Sequence, residues 1–214
     1  MLKKPALFLD RDGTLIEDLH YLSDPNKVRL LPGICECLAA LKKEGWLFFL
    51  FSNQSGIRRG FCTLKQVNTC NQRMLDLIGL GQDLFAKTCL ALGTTEQPCE
   101  YRKPSPKFIL ECLETFHLDP NFCWMIGDKE TDVEAGQRAG IRTILMQAQS
   151  EILSKNLPRT EVCKDFFEVL NRLRSEKTVR SGIQNSPPLP KFVSIKDIKS
   201  KIHRYTLLQQ HSVE

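Results

Sequence analysis

Short apolar runs alternate along the first two thirds of the chain with segments in which apolar residues recur every three or four positions. The apolar runs predict five strands, at residues 5–9, 46–51, 84–92, 122–127 and 142–146. The segments between them have the 3.6-residue period of helices. Strands that alternate with helices are typical of a parallel sheet covered on both faces. We therefore predict an α/β fold, a three-layer doubly wound parallel sheet whose ligands bind at the carboxyl ends of the strands.

Several helix ends are marked by their own residues. Thr63 followed by Gln66 matches a capping box, and Ser105 followed by Pro106 matches the N-cap and first residue of a later helix. Gly140 is suited to end the last of the predicted helices, because glycine adopts the left-handed conformation found there. These signals place helices between the predicted strands.

The composition is that of a water-soluble globular protein. The 214 residues are 42% hydrophobic and 26% charged, which suits one domain with a short appendage. No apolar stretch is long enough to cross a bilayer, and the first residues lack the pattern of a signal peptide. Nine cysteines, an odd and scattered set, are typical of reduced thiols. We therefore expect a cytoplasmic protein.

The net charge of +5 is concentrated at the C-terminal end. Residues 175–214 hold 7 Lys/Arg against 3 Asp/Glu, a net +4, so the rest of the chain is nearly neutral. Prolines and small polar residues at 175–191 predict a linker between a domain at 1–174 and a basic segment at 192–214. Apolar residues recur at helical spacing in that segment, which favours packing on its own chain or self-association, with docking on an acidic partner or a membrane surface as the alternative. Four apolar residues bury too little area for stable membrane attachment.

Two acidic residues lie at the end of the first predicted strand. Asp10 and Asp12 are two positions apart, so their side chains point the same way, and Gly13 permits the chain to turn away. Carboxylates this close repel each other unless a divalent cation neutralises them or one carries a proton. An ordinary surface turn uses the same residue types, so the pair gains weight only together with other strand ends.

Three further strand ends carry groups suited to a phosphate and a cation. Ser52 and Asn53 follow the second strand, and Lys103 precedes the third helix. Asp128 and Asp132 follow the fourth strand, where we expect both on the first turn of a helix. Each feature alone has an ordinary explanation, such as a solvated basic pair or acids at a helix N-terminus. Because the carboxyl ends of parallel strands meet at one edge, we expect these side chains to lie together.

The strings Asp-x-Asp-Gly-Thr, Ser-Asn-Gln, Lys-Pro and Gly-Asp-x-x-x-Asp resemble, in this order, the four motifs of the haloacid dehalogenase (HAD) superfamily of phosphohydrolases. The resemblance spans residues 5–146 and implies that Asp10 is a nucleophile that forms a phospho-aspartyl intermediate. Asp12 is suited to be the general acid and then the general base. We expect Ser52, Asn53 and Lys103 at the phosphate oxygens.

The same residues predict Mg²⁺ as the cofactor. Asp10, Asp128 and the main-chain carbonyl of Asp12 form an all-oxygen set of the kind that Mg²⁺ prefers. Asp132 is expected to orient Lys103 or a metal-bound water rather than to bind the metal directly. The short intervals from Asp12 to the second strand end and from there to Lys103 leave no room for an inserted cap domain.

Finer strings are similar to those of the D-glycero-D-manno-heptose-1,7-bisphosphate phosphatases and the histidinol-phosphate phosphatases. These strings include the run from Ser52 to Gly60, the Arg-Lys-Pro after Cys99, and Gly-Asp-Lys at 127–129. The resemblance implies contacts with a sugar phosphate from Asp18, Tyr21, Gln54, Ser55, Arg102 and Lys129, the last two suiting a second phosphate. A loop acid and a packing aromatic remain the alternative for Asp18 and Tyr21.

One departure from that family concerns its zinc loop. The family carries Cys-x-His and later Cys-x-Cys before Arg-Lys-Pro, whereas this chain has Cys89-Leu-Ala and Cys99-Glu-Tyr. Two of four ligands are absent, so no tetrahedral zinc site is expected. The changed loop also bears on the choice of sugar, because it precedes Arg102.

We predict a Mg²⁺-dependent phosphatase, a phosphoric monoester hydrolase, acting on a small phosphorylated sugar, with heptose 1,7-bisphosphate first. A histidinol-phosphate phosphatase, a nucleic-acid 3′-phosphatase and an inactive binding protein of the same fold are the alternatives. The nearly neutral body argues against nucleic acid, which requires several phosphate-contacting cations. The presence of acid, base, metal and phosphate groups argues against an inactive protein.

Overall fold

The computed structural model describes residues 4–146 and 159–182, and these form a six-stranded sheet. Its strands are β1 (Ala6–Leu9), β2 (Leu47–Asn53), β3 (Phe85–Ala91), β4 (Cys123–Gly127), β5 (Arg142–Met146) and β6 (Thr160–Cys163). All neighbouring strands are parallel, in the order β3-β2-β1-β4-β5-β6. This order confirms the prediction of a doubly wound parallel sheet.

Six α-helices occur in the same ranges. They are α1 (Ile34–Lys43), α2 (Ser55–Arg58), α3 (Leu64–Ile78), α4 (Lys107–Thr115), α5 (Glu130–Arg138) and α6 (Phe166–Gly182). Short 3₁₀ turns lie at Pro25–Lys27 and Pro120–Phe122. The predicted capping box is present, because the Thr63 hydroxyl accepts the Gln66 N–H and the Gln66 side chain accepts the Thr63 N–H.

The predicted start of α4 was wrong by one residue. Pro106 is the N-cap, and the helix begins at Lys107 rather than at Pro106. The Ser105 hydroxyl donates to the carbonyl oxygen of Glu100 at 2.6 Å and accepts the Lys107 N–H at 3.4 Å, so it still contacts the first residue of the helix.

The sixth strand was missed, and so was the length of the last helix. Only Cys163 of β6 is buried, so no apolar run marks this edge strand, whose pairing with β5 depends on backbone hydrogen bonds. Helix α6 continues to Gly182, past residue 175 where the linker was predicted to begin. Residues 183–191 and the basic segment at 192–214 lie outside the described residues, so the division of the chain stays a prediction.

The strands bury side chains on both faces of the sheet. In β1, Leu7 and Leu9 pack in a cluster with residues of α1, α3 and α6, whereas Ala6 and Phe8 pack in a second cluster with residues of α4 and α5. Burial on both faces explains why the strand reads as a continuous apolar run. The two clusters are the two interfaces of a three-layer fold.

The connections along this sheet agree with the prediction of no cap domain. Between β1 and β2 the described chain holds a 3₁₀ turn and α1, and between β2 and β3 it holds α2 and α3. No helix in the described ranges is both long and apolar enough to span a membrane.

The strand order brings the carboxyl ends of β2, β1 and β4 side by side, at the point where that order reverses.

Candidate active site

Asp10 lies directly after β1 and is the centre of the site. Its N–H donates to the Ile126 carbonyl oxygen of β4 at 2.9 Å, which fixes its backbone against that strand. Its buried carboxylate accepts a hydrogen bond from Lys103 Nζ at 2.7 Å. Lys103 Nζ also lies 2.5 Å from Asp132 Oδ1. The fold thus brings together three of the predicted site residues. Asp132 was expected to orient Lys103, and it contacts the Lys103 ammonium group.

Lys103 is a buried cation held between two carboxylates. Burial lowers the pKa of its ammonium group, but the carboxylates of Asp10 and Asp132 outweigh burial and hold that pKa above its ordinary value. Burial also raises the pKa of Asp132, against the opposing effect of Lys103. The ammonium group is therefore charged at neutral pH, and its predicted contact with a phosphoryl group stays a prediction.

Asn53 positions the backbone of Lys103. Its Nδ2 donates to the Lys103 carbonyl oxygen at 3.1 Å, and its Oδ1 accepts the Lys103 N–H at 2.9 Å. Both polar groups of the Asn53 side chain are thereby used on Lys103. Sequence reasoning expected Asn53 at the phosphate and missed this contact, which joins the ends of two distant segments. A contact of Asn53 with phosphate stays a prediction.

Asp128 completes a cluster of carboxylates that fits a divalent cation. Oxygen atoms of Asp10, Asp128 and Asp132 lie within 4.8 Å of one another. Asp128 Oδ1 is buried and has no hydrogen-bond partner among the described residues. Burial and the nearby Asp10 raise the pKa of Asp128 to about 7. A divalent cation that prefers oxygen ligands would bind this oxygen and reduce the repulsion between the carboxylates. The donor atoms of the cluster therefore fit Mg²⁺.

Asp128 lies in the turn before α5, not on its first turn as predicted. The Lys129 N–H donates to Asp132 Oδ2 at 3.0 Å, so the helix begins only at Glu130. Gly13 leaves room for this arrangement: its φ is +78°, and a Cβ there would lie 2.3 Å from Asp128 Oδ2. Any larger residue at position 13 would collide with the carboxylate, which explains the glycine of the first motif.

Asp12 has very different surroundings from those of Asp10. Its Oδ1 accepts from Arg11 Nε at 3.1 Å and from Arg11 Nη2 at 2.8 Å. Its Oδ2 accepts from Arg11 Nη2 at 2.9 Å and from Gln54 Nε2 at 2.7 Å. Sequence reasoning gave Arg11 no role and placed Gln54 at the substrate. The contact between Arg11 and Asp12 could have been predicted from the position of Arg11 between two acids at the end of a buried strand, because a buried guanidinium needs a carboxylate partner.

Ser52 and Ser55 lie in the same short stretch of chain as Gln54, which donates to Asp12. Gln54 Nε2 donates to Ser52 Oγ at 2.8 Å, so the buried hydroxyl of Ser52 is linked through Gln54 to Asp12. Ser55 is the first residue of the short helix α2. The contacts of both residues with phosphate or sugar stay predictions.

Asp18 and Lys129 form an ion pair at the rim of the site. Lys129 Nζ lies 3.1 Å from Asp18 Oδ2 and 3.8 Å from Asp128 Oδ2. Burial raises the pKa of Asp18, but hydrogen bonds from the His20 N–H and from Lys129 outweigh it, so this pKa lies below its ordinary value. Two residues that the family resemblance implied at the substrate are therefore neighbours across 111 positions of sequence.

Tyr21 is an exposed aromatic residue that packs on the chain near the second motif. A Cβ at Gly56 would lie 2.3 Å from Tyr21 Cδ1, so only glycine allows the ring to approach so closely. The ring also packs against that of Phe61, with 4.7 Å between centroids. Tyr21 thus has the packing contacts of the alternative interpretation, while 44% of its surface stays exposed.

The loop before Arg102 is held by polar contacts. Arg102 Nη1 donates to the Gly93 carbonyl oxygen at 3.0 Å, and the Gly93 N–H donates to Cys99 Sγ at 3.3 Å. Burial, followed by the neighbouring Cys99, raises the pKa of the Cys89 thiol to about 11. Within the described ranges, the aspartate cluster is the only group of three or more side chains that could hold a metal ion. The expected absence of zinc stays a prediction.

The doubly wound sheet, the acid after β1, the lysine that faces it and the acids after β4 define a HAD-type hydrolase. A HAD-hydrolase-like family model matches residues 100–168. A D-glycero-beta-D-manno-heptose-1,7-bisphosphate 7-phosphatase of Pasteurella multocida (strain Pm70) is 36% identical over 156 residues, which cover 70% of this chain and 85% of the relative. The enzyme of the same name from Helicobacter pylori (strain ATCC 700392 / 26695) is 34% identical over 172 residues, 79% of this chain and 97% of the relative.

A solved structure is similar as well. The D,D-heptose 1,7-bisphosphate phosphatase from B. bronchiseptica, crystallised with magnesium and phosphate, superimposes with a TM-score of 0.73 at 25% identity. The match covers 80% of this chain and 99% of that one. The chain belongs to the heptose-1,7-bisphosphate phosphatase family of HAD hydrolases, and it is a phosphoric monoester hydrolase.

Proposed function

We propose that this chain removes the 7-phosphate from D-glycero-β-D-manno-heptose 1,7-bisphosphate in a Mg²⁺-dependent reaction. The observation that carries the proposal is the buried Asp10 carboxylate, which accepts a hydrogen bond from the Lys103 ammonium and lies in a cluster with the carboxylates of Asp128 and Asp132. Relatives that are named for this reaction support the substrate. The magnesium and phosphate in the similar crystal structure support the cofactor.

In the first half of the proposed reaction, a carboxylate oxygen of Asp10 attacks phosphorus. The bond between phosphorus and the C7 oxygen breaks, and the departing alkoxide takes a proton from Asp12. Lys103 balances the negative charge on the phosphoryl oxygens. Asp10, Asp128 and the carbonyl oxygen of Asp12 would hold Mg²⁺, which supplies further positive charge at the phosphoryl group.

In the second half, water attacks phosphorus of the phospho-aspartyl group. Asp12 accepts a proton from this water, the bond between phosphorus and Asp10 breaks, and inorganic phosphate leaves. The carboxyl group of Asp12 thus ends the cycle with the proton that it lost at the start. Its 18% exposed side chain, against 6% for Asp10, suits a residue that meets both a leaving group and water.

The remaining residues of the site would select the substrate. Ser52 and Asn53 would contact the transferring phosphate, and Ser55, Asp18 and Tyr21 would contact the sugar phosphate. Arg102 and Lys129 are cations for the second phosphate. Because Lys129 is paired with Asp18, the second phosphate would compete with a carboxylate for this ammonium group.

We also place the enzyme in the cytoplasm. All nine cysteines lie in the described ranges and are free thiols. Burial raises the pKa of several of them, Cys37, Cys112 and Cys123 to about 12 each, which keeps these thiols protonated and unreactive. Unpaired, inert cysteines suit a reducing compartment.

The test is phosphate release by the full chain with Mg²⁺. The substrates are the β and α anomers of heptose 1,7-bisphosphate, histidinol phosphate and a 3′-phosphorylated oligonucleotide. We expect one equivalent of phosphate to be released from the β anomer, and ³¹P NMR should show that the 1-phosphate stays on the sugar. The Asp10→Asn variant should release no phosphate. A kcat/KM advantage over histidinol phosphate of at least about tenfold is expected if the second phosphate is bound. Equal or faster turnover of histidinol phosphate or the oligonucleotide would contradict the proposed substrate.

A further inference from the structure

Arg11 lies between Asp10 and Asp12 in sequence and is among the largest fully buried side chains of the protein, with 1% of its surface exposed. A buried guanidinium carries a charge that must be paired and five N–H donors that need acceptors. Arg11 Nε and Nη2 donate to Asp12, and Nη1 donates to Asn71 Oδ1 at 2.9 Å. Each donating nitrogen of this buried cation therefore has a defined partner.

Arg11, Asp12 and Gln54 form a closed ring of hydrogen bonds. The guanidinium grips Asp12 from one side, and Gln54 Nε2 donates to the same carboxylate while Gln54 Oε1 accepts from Arg11 Nη2 at 3.3 Å. Each oxygen of Asp12 receives two N–H donors. A rotation of the carboxylate would break several charge-assisted hydrogen bonds at once, so the ring defines its orientation.

Asn71 connects this ring to helix α3, which supplies no other residue of the site described above. The helix has a capping box at Thr63 and a buried face that includes Cys70 and Met74. Cys70 directly precedes Asn71, and Met74 lies one turn after it. Asn71 is thus a rigidly mounted acceptor, 60 positions from Arg11 in sequence. A displacement of α3 would be transmitted through Arg11 to Asp12.

We propose that Arg11 is a positioning residue for Asp12 and that Asn71 anchors it, so that helix α3 sets the orientation of the carboxyl group that transfers protons. The proposal rests on the proton-transfer role proposed for Asp12. Arg11 acts by holding that carboxyl group in line with the leaving oxygen and then with the attacking water. A misplacement of about 1 Å is enough to cost about 10²-fold in rate.

The test is a double-mutant cycle with Asp12. Asn71→Ala and Arg11→Met are each made in the natural chain and in Asp12→Asn, and kcat and KM are measured with heptose bisphosphate and with p-nitrophenyl phosphate. In the natural chain, Asn71→Ala should lower kcat on the sugar phosphate about tenfold with KM unchanged, a part of the ~10² to 10⁴-fold that a positioned acid or base contributes. In Asp12→Asn, the same change should alter kcat on either substrate less than about twofold, because the group that it positions is gone.

Two further variants complete the design. Arg11→Lys keeps the charge but not the planar fork, so it should restore little of the activity that Arg11→Met loses. Asn68→Ala removes an exposed amide from the same helix, one turn before Asn71, and should leave kcat unchanged. Melting temperatures with Mg²⁺ establish that each variant is folded; if Arg11→Met does not fold, Asn71→Ala decides, because it leaves the Arg11–Asp12 pair in place.

The outcomes separate this inference from the proposed function. If Asp12→Asn is damaging but Asn71→Ala costs the same factor with and without the Asp12 carboxyl group, the ring is only structural and the inference is wrong. The inference is equally wrong if Asn71→Ala has no effect in the natural chain. If Asp12→Asn itself hydrolyses the sugar phosphate at the natural rate, the proposed acid and base is misassigned, and the positioning role is lost with it.

Discussion

Two carboxylates two residues apart at the end of β1 have opposite surroundings. Asp10 is buried with two other carboxylates, Asp128 and Asp132, and faces one cation, Lys103. Asp12 is more exposed and receives N–H donors on both of its oxygens from Arg11 and Gln54. The Asp10 region has an excess of negative charge, whereas Asp12 and Arg11 balance each other.

This difference shows how one residue type is given two roles by its neighbours. An excess of carboxylates attracts a divalent cation and, with it, the phosphoryl group that the cation and Lys103 bind. A carboxylate surrounded by donors is held in one orientation. Changes in the Asp10 region should therefore alter nucleophilicity and metal binding, and changes around Asp12 should alter proton transfer.

The largest effect is expected for Asp10→Asn. The amide is a very poor nucleophile, so kcat should fall by more than the ~10² to 10⁴-fold that is expected for loss of an acid or base alone. The variant should stay folded, because Lys103 keeps its contact with Asp132. Phosphate release and the melting temperature are measured together. Retention of more than a few per cent of kcat in a folded variant would show that Asp10 is not the nucleophile.

Asp12→Asn should have the next largest effect, and its size should depend on the leaving group. We expect a loss of about 10² to 10⁴-fold with heptose bisphosphate, whose alkoxide needs a proton. The loss should be smaller with p-nitrophenyl phosphate, which has a better leaving group. The ratio of the two losses is the measurement. Equal losses would remove the distinction between the roles of Asp10 and Asp12 that their surroundings indicate.

The carboxylate cluster predicts a link between metal binding and pH. The pKa of Asp128 is raised from 3.8 to about 7, so between these pH values the folded chain keeps a proton that the unfolded chain has released. Without metal, the free energy of unfolding should therefore decrease as pH rises through this window. Because Mg²⁺ must displace that proton, the rise in melting temperature that Mg²⁺ causes should increase with pH.

Thermal unfolding with Mg²⁺ and with EDTA, from pH 5 to pH 8, measures both trends. In Asp128→Asn the Mg²⁺ effect should be strongly reduced and its pH dependence weakened, with Asp132, whose pKa is also raised, as the remaining contributor. The matched control is Asp18→Asn, which alters an aspartate at the rim with a lowered pKa and should keep the trend. A Mg²⁺ effect of the same size at every pH would show that Asp128 does not bind the ion.

The smallest effect is expected for the side chain of Lys129 at the rim of the site. Lys129→Met removes a cation proposed for the second phosphate and should raise KM for the bisphosphate about tenfold, the value of one hydrogen bond to a charged group. KM for heptose 7-phosphate, which lacks the second phosphate, should change little, and Lys129→Arg should keep most of the binding. An equal rise in KM for both substrates would place Lys129 at the transferring phosphate instead.

Much of the sheet was predictable because its physical cause is local. Strands β1 and β4 are buried on both faces, and burial of that kind is visible as an unbroken apolar run. The acids after these strands could be assigned to one site, since parallel strands end at a common edge. Strand β6 could not be predicted, because its place depends on hydrogen bonds to the β5 backbone and only Cys163 is buried.

The roles of individual polar side chains were less predictable. Asn53 and Gln54 carry groups that suit a phosphate, yet their amides contact the Lys103 backbone and the Asp12 carboxylate. Each contact joins residues that are 42 or 50 positions apart. An amide binds any acceptor or donor within reach, so its partner depends on how distant elements are packed.

By itself, the sequence determined the fold class and the candidate residues of the site, because the period of apolar positions and the short motifs at strand ends are properties of neighbouring residues. Only the tertiary structure decided what each carboxyl group experiences. Burial and Asp10, which lies after another strand, raise the pKa of Asp128, and Arg11, which donates to Asp12, also donates to Asn71 of α3. Electrostatic interactions and hydrogen bonds act over a few ångströms of space, whatever the separation along the chain.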